Sequence, residues 1–368
     1  MTADHRWALL AAQVAGGTGV RHGSRVSVFM TDPQVMPAVE AFVEECYRLG
    51  ACPQVLATDE RFDRIAVAHA PVDMLSAPAP LELASMHWAD VHVSFRGMVA
   101  PTGDDVDEVR LAAQRRGKGL VSTARWEETA WSLVRVPTPE WAELIGVGYV
   151  GLLDEFFAGC LAPWSELRAR WDMLCAALGQ EDTVRVVAGD TDLTFRTRGR
   201  TWISFAGEAN LPDGEIATAP LDDGVDGHIR FPGTFWFAGS PITELELRFE
   251  GGTVVEASAA RGEGFVRELL DTDAGSRRVG ELGIGTNPGM TTATGDLLID
   301  EKILGTMHLA LGRAYPDCGG INQSSLHWDI VKDLRKPGSF LSAGDHALIA
   351  DGEVTGLLAE HTRPATLP

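Results

Sequence analysis

The alternation of short apolar runs with helical patterns over the first 150 residues constrains the fold of this chain most strongly. Residues 25–30 alternate as a strand does, and the next segment carries an apolar stripe at helical spacing through Phe42. The predicted strands are 25–30, 53–57, 90–95 and 119–122, with a helix predicted over 106–116. Strand and helix in this order predict a parallel sheet covered by helices, and hence an α/β N-terminal domain.

The pattern changes after a helical stretch that is predicted over residues 151–179. Residues 183–187, 193–197 and 244–249 alternate as half-buried strands do, and Gly251-Gly252 separates the last of them from a strand at 253–256. These patterns predict a mostly antiparallel α+β C-terminal domain. The predicted domains are therefore 1–180, the α/β domain with the parallel sheet, and 181–368, which carries the candidate metal ligands described below.

The formal net charge of −21 argues against two classes of partner. The negative charge would repel both nucleic acid and an anionic membrane surface unless a basic patch offset it. The sequence shows no concentrated basic patch. The five cysteines are scattered without a CxxC pair, which is typical of reduced thiols in a cytoplasmic protein. Neither a signal peptide nor an apolar run of membrane-spanning length is evident, so we expect a soluble cytoplasmic protein.

The triplet His327-Trp328-Asp329 gives the first indication of a metal site. In an extended segment, residues two positions apart project from the same face, so this imidazole and this carboxylate would point into one space. His308 lies in an apolar stretch typical of a buried strand and adds a second imidazole. Glu215 and Glu281 lie beside glycine and proline, which we expect to place each carboxylate at the rim of a strand and to let the backbone approach a ligand.

Together these residues form a mixed oxygen and nitrogen ligand set: Glu215, Glu281, His308, His327 and Asp329. Carboxylate and imidazole suit zinc, manganese, cobalt or iron better than copper(I). Two divalent ions about 3.5–4 Å apart can activate a shared water and stabilise the oxyanion formed as it attacks an amide. Tyr315 would lie near the same strands and could donate a hydrogen bond to that oxyanion. A structural role, in which some of the carboxylates only cap turns, stays open at this point.

The chain resembles the thermophilic aminopeptidases, the aminopeptidase T and aminopeptidase S family of metallo-exopeptidases, over nearly its whole length. The blocks that carry the resemblance are Asn210-Leu211-Pro212-Asp213-Gly214-Glu215 with Thr218-Ala219-Pro220, Gly280-Glu281-Leu282-Gly283-Ile284-Gly285-Thr286-Asn287, Asp300-Glu301-Lys302, the segment 305–312 around His308, and His327-Trp328-Asp329. Five such blocks in the right order make a chance match improbable.

The resemblance implies that two divalent metal ions are bound by Glu215, Glu281, His308, His327 and Asp329. Zinc, cobalt, manganese and magnesium are the candidate ions. It also implies a catalytic role for Tyr315, and it leaves Glu215 as either a ligand or the general base. A homodimer whose active sites face an enclosed space, walled in part by the N-terminal domain, is implied as well. Such a space would restrict access to short peptides.

Three further residues lie in or near these blocks. Lys302 and Arg335 are candidates for supporting residues, since either could orient a carboxylate or meet a carboxylate of the substrate, although surface ion pairs are the commoner role. Cys318 lies in a turn that is predicted over 316–320, and we expect it to be incidental rather than catalytic.

Three functions are compatible with these residues. The first is an aminopeptidase that removes the N-terminal residue from short peptides, or cleaves a related small amide, with a metal-activated water. The second is a mononuclear non-haem iron(II) dioxygenase, because the dihydroxypyridine ring-cleaving dioxygenases look like relatives on this fold and use two histidines and one carboxylate. A one-metal site would not need both Glu215 and Glu281, which favours hydrolysis. The third is a non-catalytic protein, whose signature would be a lost ligand, and none is lost.

Overall fold

The computed structural model describes residues 5–99 and 107–362, and the chain divides into two compact units. Unit 1 takes the described residues up to Ala162 together with Gly207–Asp213. Unit 2 takes Pro163–Ala206 and the described residues from Gly214 onward. None of the described helices is long and apolar enough to cross a membrane.

Unit 1 is built on a parallel sheet of five strands in the order β2-β1-β3-β4-β8. Its strands are β1 Arg25–Met30, β2 Cys52–Ala57, β3 Val91–Gly97, β4 Ala130–Val136 and β8 Asn210–Leu211. Its helices are α1 Arg6–Gly17, α2 Met36–Arg48, α3 Glu60–His69, α4 Val72–Ser76, α5 Pro80–Trp88, α6 Glu108–Glu128, α7 Pro139–Leu144 and α8 Tyr149–Cys160. The predicted α/β architecture with a parallel sheet is confirmed.

Burial explains why these segments fold as they do. In β1 every residue after Arg25 is buried, as expected for a central parallel strand with helices on both faces. Helix α2 buries the stripe that its periodicity predicts, and the ring of Phe42 lies 5.6 Å from that of Phe95 in β3. The apolar stripes of helices and sheet therefore meet in one core of unit 1.

The strand predicted at residues 119–122 is wrong, because these residues lie inside α6 and the fourth strand begins at Ala130. A short apolar run does not distinguish a strand from a buried turn of helix. Here Val121 and Ala124, three residues apart, pack on one helical face against Phe29 and Met86.

Unit 2 contains two antiparallel sheets. The eight-stranded sheet has the order β12-β11-β10-β6-β5-β16-β17-β18, and the five-stranded sheet has the order β15-β14-β13-β9-β7. The strands are β5 Thr183–Ala188, β6 Thr191–Arg196, β7 Ile203–Phe205, β9 Glu215–Thr218, β10 Val225–Phe237, β11 Ser240–Glu250, β12 Thr253–Ser258, β13 Val279–Gly285, β14 Thr306–Gly312, β15 His327–Asp333, β16 Ser339–Ala343, β17 His346–Ala350 and β18 Glu353–Val354. The helices are α9 Trp164–Leu178, α10 Glu263–Leu270, α11 Leu297–Asp300 and α12 Gly356–Thr362.

The alternating segments of the second half are therefore strands as predicted, and β11 pairs with β12 across the turn at Gly251-Gly252. The two compact units do not follow the predicted boundary at residue 180. Helix α9 belongs to unit 2, since it packs against α12 and β7. The short segment 207–213 belongs to unit 1, since β8 pairs with β4. A short segment that returns to an earlier sheet leaves no signal in a linear pattern.

A glycine in the middle of α6 gives a test of this packing. A Cβ on Gly117 would lie 2.4 Å from the carbonyl oxygen of Leu75 and 2.5 Å from that of Ala77. We expect Gly117→Ala to lower the free energy of unfolding by about 1–3 kcal/mol, since the crowding outweighs the better helix propensity of alanine. Denaturant unfolding measures the change. The matched control is Gly151→Ala in α8, where nothing lies within 4 Å of the new Cβ and a gain of up to about 1 kcal/mol is expected. A stabilised Gly117→Ala variant would contradict the close approach of α6 to this backbone.

Candidate metal centre

All five predicted ligands lie on the five-stranded sheet of unit 2. Glu215 begins β9, Glu281 lies in β13, His308 lies in β14, and His327 and Asp329 belong to β15. The register aligns Glu281 with Ala310, and Ala310 with Asp329, while Gly285 is opposite Glu215. Because side chains alternate along a strand, this register turns all five toward the same face of the sheet.

Glycines make room for these side chains on that face. Gly283 is the register partner of His308, and a Cβ at Gly283 would lie 2.1 Å from two atoms of the imidazole. A Cβ at Gly285 would lie 2.1 Å from the carbonyl oxygen of Ile303. The glycines after Glu281 therefore allow other parts of the chain to approach closely. The expectation that they place Glu281 at the rim of a strand is wrong, since Glu281 is buried in the middle of β13.

The first ligand group is deeply buried and consists of Glu215, Glu301 and His308, whose candidate ligand atoms all lie within 4.8 Å of one another. Glu215 Oε2 is 3.3 Å from His308 Nε2. Glu301 directly follows α11 and was not among the five predicted ligands. The block Asp300-Glu301-Lys302 contained this residue, but no strand periodicity indicated that its side chain would reach the others.

The second ligand group consists of Glu281, His327 and Asp329, again with ligand atoms within 4.8 Å of one another. His327 Nε2 lies 3.3 Å from Glu281 Oε2 and 3.5 Å from Asp329 Oδ1. The other ring nitrogen, Nδ1, is 2.9 Å from the carbonyl oxygen of Arg313. A carbonyl only accepts, so Nδ1 carries a hydrogen, and Nε2 is the nitrogen that the neutral imidazole would offer to a cation.

Glu281 connects the two groups. Its Oε1 lies 3.5 Å from His308 Nε2 of the first group, while its Oε2 lies 3.3 Å from His327 Nε2 of the second. The side chains of Glu281 and His308 are almost completely buried, with exposed fractions of 2% and 1%. A single buried carboxylate thus contacts one imidazole of each group.

The charges of this cluster shift the pKa values of its members. Burial acts to raise the pKa of Glu281, but its contacts with His308 and His327 lower that pKa to about 2. Burial acts to lower the pKa of both imidazoles, and the surrounding carboxylates outweigh it and raise the pKa of each to about 9. Burial raises the pKa of Glu301 well above its usual range, although the charge of Lys302 acts against this. The carboxylates of the cluster therefore favour positive charge at the positions that the two imidazoles occupy.

The donor set fits a divalent cation. Glu215 Oε2, Glu281 Oε2 and Glu301 Oε2 are buried and receive no hydrogen bond from the described residues. A buried carboxylate oxygen without a donor is costly, and a bound cation removes that cost. Carboxylate and imidazole are ligands that zinc, cobalt, manganese and magnesium all accept. The residues of both groups are therefore suited to hold such ions.

The other residues that the sequence indicated have different positions. Tyr315 is half-buried beside the second group, with its ring centroid 5.6 Å from that of His327. Lys302 Nζ lies 2.5 Å from Glu215 Oε1 and 2.7 Å from Glu301 Oε1. Arg335 instead pairs with Asp333 at 2.8 Å.

Cys318 lies in the turn after Tyr315, where residues Pro316–Cys318 form a 3₁₀ helix. Its thiol is buried, and its sulfur lies 3.8 Å from the carbonyl oxygen of Ala217. Burial raises the pKa of this thiol to about 12, so the thiolate that would act as a nucleophile or ligand is disfavoured.

Known proteins resemble this chain over most of its length. Aminopeptidase 2 of Geobacillus stearothermophilus is 27% identical over 376 residues, which cover 87% of this chain and 90% of that protein. Aminopeptidase T of Thermus thermophilus is 27% identical over 351 residues, which cover 83% and 84% of the two chains.

Two solved structures share the fold. Wild-type AmpT from Thermus thermophilus has a TM-score of 0.76 at 23% identity and covers 96% of this chain and 99% of its own. The 2,5-dihydroxypyridine dioxygenase from Pseudomonas putida KT2440 has a TM-score of 0.59 at 15% identity, with coverages of 97% and 98%. At these identities both structures show the fold alone, and the decision between hydrolase and dioxygenase comes from the family. The model of the thermophilic metalloprotease family (M29) matches residues 5–352, so this chain belongs to that family of metal-dependent peptide-bond hydrolases.

Proposed function

We propose that this protein is an aminopeptidase with two divalent metal ions, which removes the N-terminal residue from short peptides or cleaves a related small amide. The observation that carries the proposal is the pair of ligand groups joined by Glu281 on one face of a single sheet. The names of the relatives, Aminopeptidase 2 and Aminopeptidase T, support an exopeptidase rather than a protease that cuts within chains.

Each ligand group would hold one ion. Glu215, Glu301 and His308 would bind the first, and His327 and Asp329 the second, with Glu281 between them. Four carboxylates carry four negative charges, which would offset most of the positive charge of two divalent cations and of Lys302. Glu215 fits the role of a ligand better than that of a general base, since Lys302 holds one of its oxygens and the other faces His308.

The ions would supply an activated water and a Lewis acid for attack on the scissile carbonyl. The chain's own residues would orient the substrate. The Tyr315 hydroxyl would donate a hydrogen bond to the carbonyl oxygen as negative charge develops on it. Burial and the nearby carboxylates raise the pKa of Tyr315 well above its usual range, so this hydroxyl keeps its proton. The Asp329 carboxylate, which is a quarter exposed, would accept a hydrogen bond from the substrate's terminal amine.

A mononuclear iron dioxygenase binds one metal ion and would need only one of the two ligand groups. Three carboxylate oxygens that receive no hydrogen bond from the described residues, distributed over both groups, favour two ions. The proposal also includes that the protein is a cytoplasmic homodimer. The candidate metals are zinc, cobalt, manganese and magnesium.

The test is the metal content per chain by elemental analysis, paired with release of the first residue from leucyl, alanyl and aryl amides after reconstitution with zinc, cobalt or manganese. We expect close to two ions per chain and release of the N-terminal residue. One iron per chain, with oxygen uptake on a hydroxylated heteroaromatic and no amide cleavage, would overturn the proposal.

Removal of one ligand gives the first prediction for the proposed metal site. We expect His308→Ala or Asp329→Ala to abolish activity and to reduce the bound metal with the fold retained, because each takes a donor from one group. Elemental analysis, activity and circular dichroism measure the three quantities. His346→Ala is the matched control, since His346 is an exposed histidine of β17 and all three quantities should be unchanged. Full activity in either ligand variant would remove the site from consideration.

Tyr315 gives the second prediction. Tyr315→Phe should lower kcat on the order of 10²-fold, which is the loss typical of one oxyanion donor. The metal content should stay unchanged, since the hydroxyl is not among the proposed ligands. The matched control is Tyr47→Phe on an exposed tyrosine of α2, with no expected effect. Unaltered turnover in Tyr315→Phe would assign this residue a structural role.

Gly283 gives the third prediction. We expect Gly283→Ala to displace the His308 imidazole and to weaken metal binding by about 10-fold or more, as when a ligand loses its orientation. A calorimetric titration with metal measures this affinity. Ile284→Val is the control on the other face of β13, where a loss of about 1 kcal/mol in stability and unchanged metal affinity are expected. Wild-type affinity in Gly283→Ala would show that the imidazole does not need this space.

A further inference from the structure

Lys302 has a completely buried ammonium group in contact with two of the proposed ligands. Its side chain has an exposed fraction of 0%, and the Glu215 and Glu301 side chains are each 5% exposed. The Nζ atom is 2.5 Å from Glu215 Oε1 and 2.7 Å from Glu301 Oε1. A buried lysine is expensive unless it is paired, and here two buried carboxylates from different parts of the chain share one ammonium.

The ammonium contacts Oε1 of each carboxylate. The second oxygen of each carboxylate can face a bound cation. Glu215 Oε2 and Glu301 Oε2 are both buried and receive no hydrogen bond from the described residues. Glu215 Oε2 is also the oxygen that lies 3.3 Å from His308 Nε2. The lysine therefore determines which oxygen of each glutamate is available to a cation.

The backbone around Lys302 is fixed on both sides. The Lys302 carbonyl accepts a hydrogen bond from Asn287 N at 2.9 Å, and Lys302 N donates to the Ile299 carbonyl at 3.2 Å. The preceding Asp300 accepts hydrogen bonds from the backbone and hydroxyl of Thr294, both at 2.7 Å. The ammonium is thus held from a rigid segment.

We propose that Lys302 is a positioning residue for the metal ion of the first group. By holding Glu215 Oε1 and Glu301 Oε1, it orients the remaining oxygen of each toward that ion. Outer partners that orient metal ligands typically contribute about 10–100-fold to metal affinity. The inference rests on the proposed function, because it requires that the first group binds a metal ion.

The positioning acts on one ion more than on the other. Both carboxylates that the ammonium contacts belong to the first group, whereas His327 of the second group is oriented by the Arg313 carbonyl. A residue that only filled space or stabilised the fold would not distinguish between the two ions. Selective loss of one ion is therefore the signature of positioning.

The experiment is a calorimetric titration of the metal-free full-length protein with zinc or cobalt, for the wild type and for Lys302→Met. Methionine has a similar length and removes the charge and the donors. We expect two ions in the wild type. In Lys302→Met, one ion should bind about 10–100-fold more weakly and the other with wild-type affinity. Elemental analysis after dialysis should then give close to one ion per chain.

The chain offers a matched control in Lys332, a second buried lysine on the same sheet. Its Nζ donates to the Arg230 carbonyl at 2.6 Å, and its position in β15 places it on the face opposite Asp329. Lys332→Met makes the same substitution at a buried site, so it controls for the loss of a buried ammonium as such. We expect both ions to bind to this variant with wild-type affinity.

Two results would overturn the inference: wild-type affinity for both ions in Lys302→Met, or equal weakening of both ions in a folded Lys302→Met while Lys332→Met is unaffected. If Lys302→Met does not fold, Lys302→Gln is judged by the same criterion, since glutamine keeps a donor without the charge. A wild-type protein that binds no metal would overturn the proposed function together with this inference. Two ions without amide cleavage would overturn only the proposed reaction.

Discussion

The structure of unit 2 depends on the burial of several negative charges at one place. Glu215, Glu281 and Glu301 are each 5% exposed or less, and their ligand atoms lie beside His308 and His327. Carboxylates brought together without cations destabilise a fold by several kcal/mol per uncompensated charge. Lys302 and the two imidazoles supply positive charge beside these carboxylates. Further cations at this position would stabilise the fold, and the family membership implies divalent metal ions.

The register of the five-stranded sheet brings the proposed ligands together. Glu281, Ala310 and Asp329 are aligned across three strands, and His308 lies opposite Gly283. A slip of one residue in any of these strands would turn its ligands to the other face. The buried apolar residues on that other face, such as Leu282, Leu309 and Trp328, oppose such a slip. Core packing on one face thus fixes the ligand positions on the other.

The sequence predicted what periodicity and spacing can encode. Strands β9, β13, β14 and β15 carry the five predicted ligands, and the structure brings all five together, although their binding of metal stays a prediction. Glu301 was missed because it lies in a turn after α11, where its position depends on distant contacts. The return of segment 207–213 to unit 1 has the same reason, whereas residues 119–122 were mistaken for a strand because a short apolar run does not distinguish a strand from a buried turn of helix. The periodicity of a segment indicates which of its residues are buried. It does not indicate which distant segment packs against them.

The two ligand groups differ in solvent exposure. Under the proposed function, we expect them to have different roles in the reaction. His308 is 1% exposed, whereas His327 and Asp329 are 19% and 25% exposed. Tyr315 lies beside His327, so the groups that would contact a substrate are on the more exposed side. The first group is held by a buried lysine and has no need of solvent access. A peptide would then meet the ion of the second group, and the first group would hold an ion that balances the buried charge.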